Sequence, residues 1–97
     1  MIADEVDRRR APLRVRALAT PGVVQMLRWI LGTRVRIGPA GTDGRVEVEL
    51  RGHNTHAIAG EIAGLGRQVE VLEPQEVRDQ LAQIAQELAA YYAPATG

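Results

Sequence analysis

From Arg45 to Arg51 the chain alternates charged and apolar residues without a break, with Arg45, Glu47, Glu49 and Arg51 set against Val46, Val48 and Leu50. Neighbouring side chains of a strand point to opposite faces, so this stretch belongs to a sheet with one dry face and one wet face. The same period of two recurs at Leu13, Val15 and Ala17 against Arg14 and Arg16, and at Val35 and Ile37 against Arg34 and Arg36. Val69 and Val71 mark a fourth, shorter strand. A chain of 97 residues has room for one small domain of this kind and is too short for a multidomain enzyme.

The segments between the strands read as helices. Thr20-Pro21-Gly22 combines a capping residue with a proline suited to the first helical position, and Val23, Leu27, Ile30 and Leu31 then fall at helical spacing before Gly32 supplies a stop. Gly38 to Gly44 reads as a turn or short loop joining strands two and three as a hairpin. His53-Asn54-Thr55 offers caps for a second helix carrying Ile58, Ile62 and Leu65, in which Gly60 and Gly64 suggest close helix packing and Gly66 closes the helix. Glu73-Pro74 opens a third helix with Val77, Leu81, Ile84, Leu88 and Tyr91 or Tyr92 on one stripe. The predicted class is α+β, a ferredoxin-like βαββαβ sandwich with an additional C-terminal helix. Both early helices would cover one sheet face and leave the other open, with strand three between strands one and two. Residues 1–12 read as a linker, 13–92 as the domain and 93–97 as a flexible tail.

Composition narrows the chemistry. There is no cysteine, so neither a disulfide framework nor a thiolate metal site is available. The N-terminus has acids ahead of bases and no apolar core, unlike a secretory signal, and no apolar run is long enough to cross a bilayer. A cytoplasmic location and no membrane partner are expected. Formal charge is zero, so no whole-molecule field draws the protein to nucleic acid. Residues 1–51 nevertheless hold ten Arg against six acids, and residues 52–97 hold two Arg against six, which places any anion site in the first half. Aromatics make up only 3% of the chain, so the core rests on Val, Leu and Ile and modest stability is expected.

On the open face, Glu47 and Glu49 are expected between Arg14 and Arg16 on one side and Arg34 and Arg36 on the other. That arrangement is either a solvated ladder of weak cross-strand ion pairs or an anion site, since four guanidinium forks outnumber two carboxylates. The strands carry no aromatic platform, which argues against independent sequence-specific RNA binding. His53 and His56 lack further ligands and are assigned surface or capping roles, with no metal and no cofactor expected. Without cysteine, lysine or serine there is no obvious nucleophile. Glu76 and Asp79 sit one turn apart beside Arg78 as a solvated pair, so no catalytic residue and no enzyme are predicted. Met26 and Trp29 lie off the main stripe of the first helix, either as core edge packing on the third helix or as a partner-binding patch. The stripe through Leu81, Ile84 and Leu88 suits intramolecular docking or a dimer contact.

The stretch Leu65-Gly66-Arg67-Gln68-Val69-Glu70-Val71-Leu72-Glu73-Pro74-Gln75-Glu76-Val77-Arg78, followed by Leu81, Leu88, Ala89 and Tyr91, resembles the C-terminal extension, called WCX, of bacterial WYL-domain transcription regulators. In that family a glycine after an apolar helix leads into a short strand, then "VLEP", an acid-Val/Leu-Arg step and a long helix ending near a Tyr. The similarity covers about residues 13–92 and is most distinctive from Gly66 to Tyr92. It implies a ferredoxin-like module of a longer regulator, whose winged helix-turn-helix binds DNA and whose WYL domain senses an effector. Neither a recognition-helix pattern nor a Trp-Tyr-Leu motif occurs in this sequence. The implied partners are the WYL domain of the same regulator, a second copy in a homodimer, and a single-stranded nucleic acid effector. Phosphate contacts would then fall to some of Arg14, Arg16, Arg34 and Arg36. No individual ligand residue follows from the resemblance, because its motif lies in the last strand and helix.

A second resemblance points elsewhere. Leu18-Ala19-Thr20-Pro21-Gly22-Val23-Val24 is similar to the strand-to-helix turn of ACT domains, which share the fold and sense small ligands such as amino acids. Those turns often carry an acid two residues before the proline, where this chain has Ala19. The resemblance would place a ligand near Thr20 and Gly22 at a subunit interface.

Overall fold

The computed structural model describes residues 12–93; the expected linker up to residue 11 and the tail from residue 94 lie outside the described residues. The elements run β1 (Leu13–Ala19), α1 (Val24–Leu31), β2 (Val35–Ala40), β3 (Val46–Gly52), α2 (Thr55–Ile62), β4 (Val69–Glu73) and α3 (Gln75–Tyr92). Short 3-10 turns at Pro21–Val23, Gly32–Arg34 and Ala63–Gln68 join them. The class is α+β. Four strands form one antiparallel sheet in the order β2-β3-β1-β4, so β3 does lie between β1 and β2.

The alternation sorts the sheet as its period requires. Val15, Ala17, Ala19, Val48, Leu50, Val69 and Val71 turn to the dry face and are buried, and the helices lay Leu27, Leu31, Ile58, Ile62 and Val77 over them. The charged residues between them face away from the helices. α1 ends where Gly32 adopts φ 60°, and Gly66 adopts φ 58° ahead of β4, both conformations that a side chain disfavours. Asn54 caps α2 by accepting from the Ala57 amide at 2.8 Å.

Several expectations need correction. Thr20 makes no side-chain cap; its amide donates to the Gln68 carbonyl at 2.9 Å, and Pro21 opens a 3-10 turn before α1. β2 does not end at Ile37 but runs through Gly38 and Pro39 to Ala40, where an irregularity in the pairing with β3 absorbs an extra residue. Ile30, expected on the core stripe, is 36% exposed, and Leu27 and Leu31 are the residues of α1 buried over the sheet. A Cβ added at Gly60 or Gly64 would meet nothing within 4 Å beyond its own helix and chain neighbours. The glycine that permits close packing is Gly52, where an added Cβ would meet Cβ of Ile58 at 2.5 Å.

Candidate functional site

The face of the sheet that no helix covers is built from β1, β3 and the two outer strands. Register sets Arg16 of β1 opposite Glu49 of β3, and Glu49 opposite Arg36 of β2, so one carboxylate is flanked by two guanidinium groups. Direct opposition is not the bonding pattern. Glu49 leans toward Arg14 at 3.6 Å and Arg51 at 3.8 Å, while Arg16 lies 3.9 Å from Glu47 and 3.3 Å from Glu73. Among the described residues Arg36 has no carboxylate within 4 Å. A hollow of about 240 Å³ is lined by Arg16, Arg36, Glu47 and Glu49 and by the irregular Gly38-Pro39 stretch of β2. Ion pairs this long between exposed side chains are worth about 0–1 kcal/mol each, so the guanidinium donors of Arg14, Arg16 and Arg36 are only loosely committed.

Glu73 reaches this face through a break in register. Residues 69, 71 and 73 would share one face in a regular strand, and Val69 and Val71 are buried. The pairing with β1 shifts between Arg16 and Ala17, so that Arg16 opposes Glu73 while Ala17 opposes Val71. The extra residue, Leu72, turns Glu73 over to the wet side beside Arg16. At the far end of the sheet, Arg45 donates through Nε to Asp43 at 2.8 Å and through Nη1 to Glu70 at 2.6 Å, tying the hairpin to β4 across the end of β1. These bonds raise the Arg45 guanidinium above its ordinary pKa, Glu70 acting more strongly than Asp43. Arg45 in turn holds the Asp43 carboxyl below the usual aspartate value, through its side chain first and its amide second.

Arg34 does not belong with the other three arginines. It precedes β2, and its guanidinium binds Glu61 of α2 by two bonds, at 2.9 and 2.6 Å, with a third at 3.3 Å to the carbonyl of Arg51. The bond from Glu61 raises its pKa against a smaller opposing effect of burial. Its donors are spent on joining the start of β2 to α2, which is a structural clamp and not a surface site.

The expected partner-interface residues lie on two separate helices. Met26 and Trp29 of α1 are 49% and 83% exposed, so the indole is neither core edge nor packed on α3. They border a hollow of about 280 Å³ with Gly22 and Gln25. Along α3 only Val77 is fully buried. Leu81 and Ile84 are half-buried and line an apolar groove of about 310 Å³ with Ile62, Gly66 and Leu88, and beyond them Leu88 is 50% exposed and Tyr91 83%. Docking within the chain therefore accounts for the first half of the stripe only. His53 and His56 are exposed. Among the described residues no three His, Cys, Asp or Glu side chains gather to hold a metal, and no helix is long and apolar enough to cross a membrane.

The profile of the WCX domain matches residues 11–89 of the chain. The chain belongs to the WCX domain family. No curated protein matches it. The family is regulator-associated, and its members accompany WYL domains. Within this WCX domain the polar contacts that sequence reasoning passed over are those of Arg45, Glu61, Glu70 and Glu73. Alternation with Val69 and Val71 does signal Glu70. Nothing local signals the other three, since Glu73 depends on a register break, Glu61 pairs across 27 positions, and Arg45 bonds beyond its own strand.

Proposed function

We propose that this WCX domain is a non-catalytic, cytoplasmic module of a WYL-type transcription regulator, contributing to the response to an anionic effector and to self-association. The sheet order, with two crossover helices on one face, is read as the ferredoxin-like arrangement. The observation that carries the effector reading is the open sheet face, where Arg14, Arg16 and Arg36 are exposed and, among the described residues, Arg14 and Arg16 make ion pairs of 3.3 to 3.9 Å and Arg36 makes none. Guanidinium forks suit phosphate oxygens, and a single-stranded nucleic acid offers them at regular spacing without needing base readout. An effector bound there, at the junction with a WYL domain, would favour one domain arrangement by its greater affinity for that state.

The test is binding of a short single-stranded oligonucleotide to the chain over a range of salt. Replacing Arg14, Arg16 and Arg36 by Gln should weaken binding and reduce the slope of log affinity against log salt by about 2, since each phosphate contact on a single strand contributes about 0.7. Arg34→Gln should leave affinity unchanged while lowering stability. Unchanged binding in the triple variant would reduce the sheet face to a solvated ladder.

A further inference from the structure

Two exposed apolar faces of opposite charge remain once the sheet face has been assigned. On α1, Trp29, Met26 and Ile30 stand out to solvent beside a hollow that Gly22 leaves open. Arg28 is exposed next to Trp29, and from Thr20 to Thr42 the sequence has no acid. On α3, Leu88 and Tyr91 continue a stripe that the domain itself covers only at its start. Beyond Arg78 that helix carries Asp79 and Glu87 and no base.

A buried Trp is among the largest single contributions to an interface, and the partner that suits this one is an amphipathic helix with acids beside its apolar stripe. The described residues contain such a helix. We propose that the α1 face of one copy receives the C-terminal half of α3 from a second copy, with Leu88 and Tyr91 against Trp29 and Met26 and with Glu87 near Arg28. This rests on the self-association reading above and names the two surfaces that meet. α1 packs toward β2 and α3 packs on β4, the opposite edges of the sheet. The contact therefore joins unlike faces, α1 of one copy and α3 of the other.

That asymmetry supplies the test. Trp29→Ala removes the receiving face and Leu88→Gln weakens the inserted one; both residues are exposed enough for the fold to survive, which far-UV circular dichroism verifies. Mass is read by light scattering after gel filtration across a range of concentrations, alongside indole emission. The wild-type chain should grow beyond one copy, with emission moving to shorter wavelength, while each variant alone stays monomeric. Mixed in equal amounts, the two variants should form a one-to-one pair, because the first still supplies α3 and the second still supplies α1. The chain has a single Trp, so in that mixture emission comes only from the Leu88→Gln partner and should shift blue on mixing. Association of the wild type without complementation by the mixture would overturn this pairing and leave self-association by another surface. A wild-type chain that stays monomeric throughout would overturn the pairing and the self-association reading together.

Discussion

Gly52→Ala should destabilise the domain by overpacking α2 against β3. Gly52 ends β3 under α2, and a Cβ there would lie 2.5 Å from Cβ of Ile58, 3.2 Å from its Cγ1 and 3.3 Å from its Cδ1. Ordinary contact begins at 3.4 Å, so helix and strand must part by about 0.9 Å. Gly52 does not adopt a positive φ, so backbone strain adds nothing and the cost is steric. Overpacking of this kind costs about 1–3 kcal/mol, occasionally more. Losing a glycine from the unfolded chain offsets about 0.4–1 kcal/mol of that. A net loss of roughly 1–2 kcal/mol lowers the melting temperature of a domain this size by about 4–16 °C. Urea unfolding followed by far-UV circular dichroism is the appropriate assay, because the one Trp is exposed and its emission reports the fold poorly.

The informative control is Ile58→Ala. It keeps Cβ in place, so the 2.5 Å approach persists and the double variant should be less stable than either single one, with the cavity adding about 2–5 kcal/mol. Were Gly52→Ala to fall within 0.5 kcal/mol of the wild type, or Ile58→Ala to restore it, the claimed approach of α2 to β3 would be wrong.

Two further predictions test the caps and charges. Asn54→Ala should cost about 0.5–2 kcal/mol in urea unfolding by freeing the Ala57 amide, whereas Asn54→Asp should cost little. Asp43, held below its ordinary value of 3.8 by Arg45, contributes stability that is present above that value and is lost as the pH falls through its lowered pKa. Asp43→Asn should therefore lower the urea midpoint slightly near neutrality and flatten the acid side of its plot against pH, the two proteins converging at low pH; an identical pH profile would show that the pair contributes nothing.

The parts of this domain that were legible in the sequence are those governed by nearest neighbours. Period-two alternation placed β1, β3 and the wet face carrying Arg14, Arg16, Glu47 and Glu49, because the pleat alone fixes which side each residue takes. Gly32 and Asn54 signalled helix ends because their conformational freedom or capping oxygen acts within a few residues, whereas α2 stops at Ile62, before the expected Gly66, which instead sits in the 3-10 turn that follows. The errors came from longer-range effects. Arg34 alternates with Val35 as if it faced the sheet's wet side, yet Glu61 on α2 claims it. Ile30 fits the helical stripe, but α1 of eight residues buries only Leu27 and Leu31 against the sheet. Gly60 and Gly64 looked tight by composition, and the tight glycine was Gly52, on the strand facing α2. The exposed Trp29 could not be told from a core Trp, since the sequence does not show that α3 packs on α2 and β4, toward the edge of the sheet opposite α1.

The irregular stretch at Gly38-Pro39 bears on how such a domain avoids unwanted association. β2 is an outer strand, and an outer strand offers free amides and carbonyls to any extended chain that approaches. Pro39 has no amide hydrogen to offer, and the break in pairing between Ile37 and Ala40 twists this strand away from a flat ladder. At the opposite edge β4 is only five residues long and is followed at once by Pro74. Sideways growth by strand addition, the route to fibrous aggregates, is thus discouraged at both edges of the sheet.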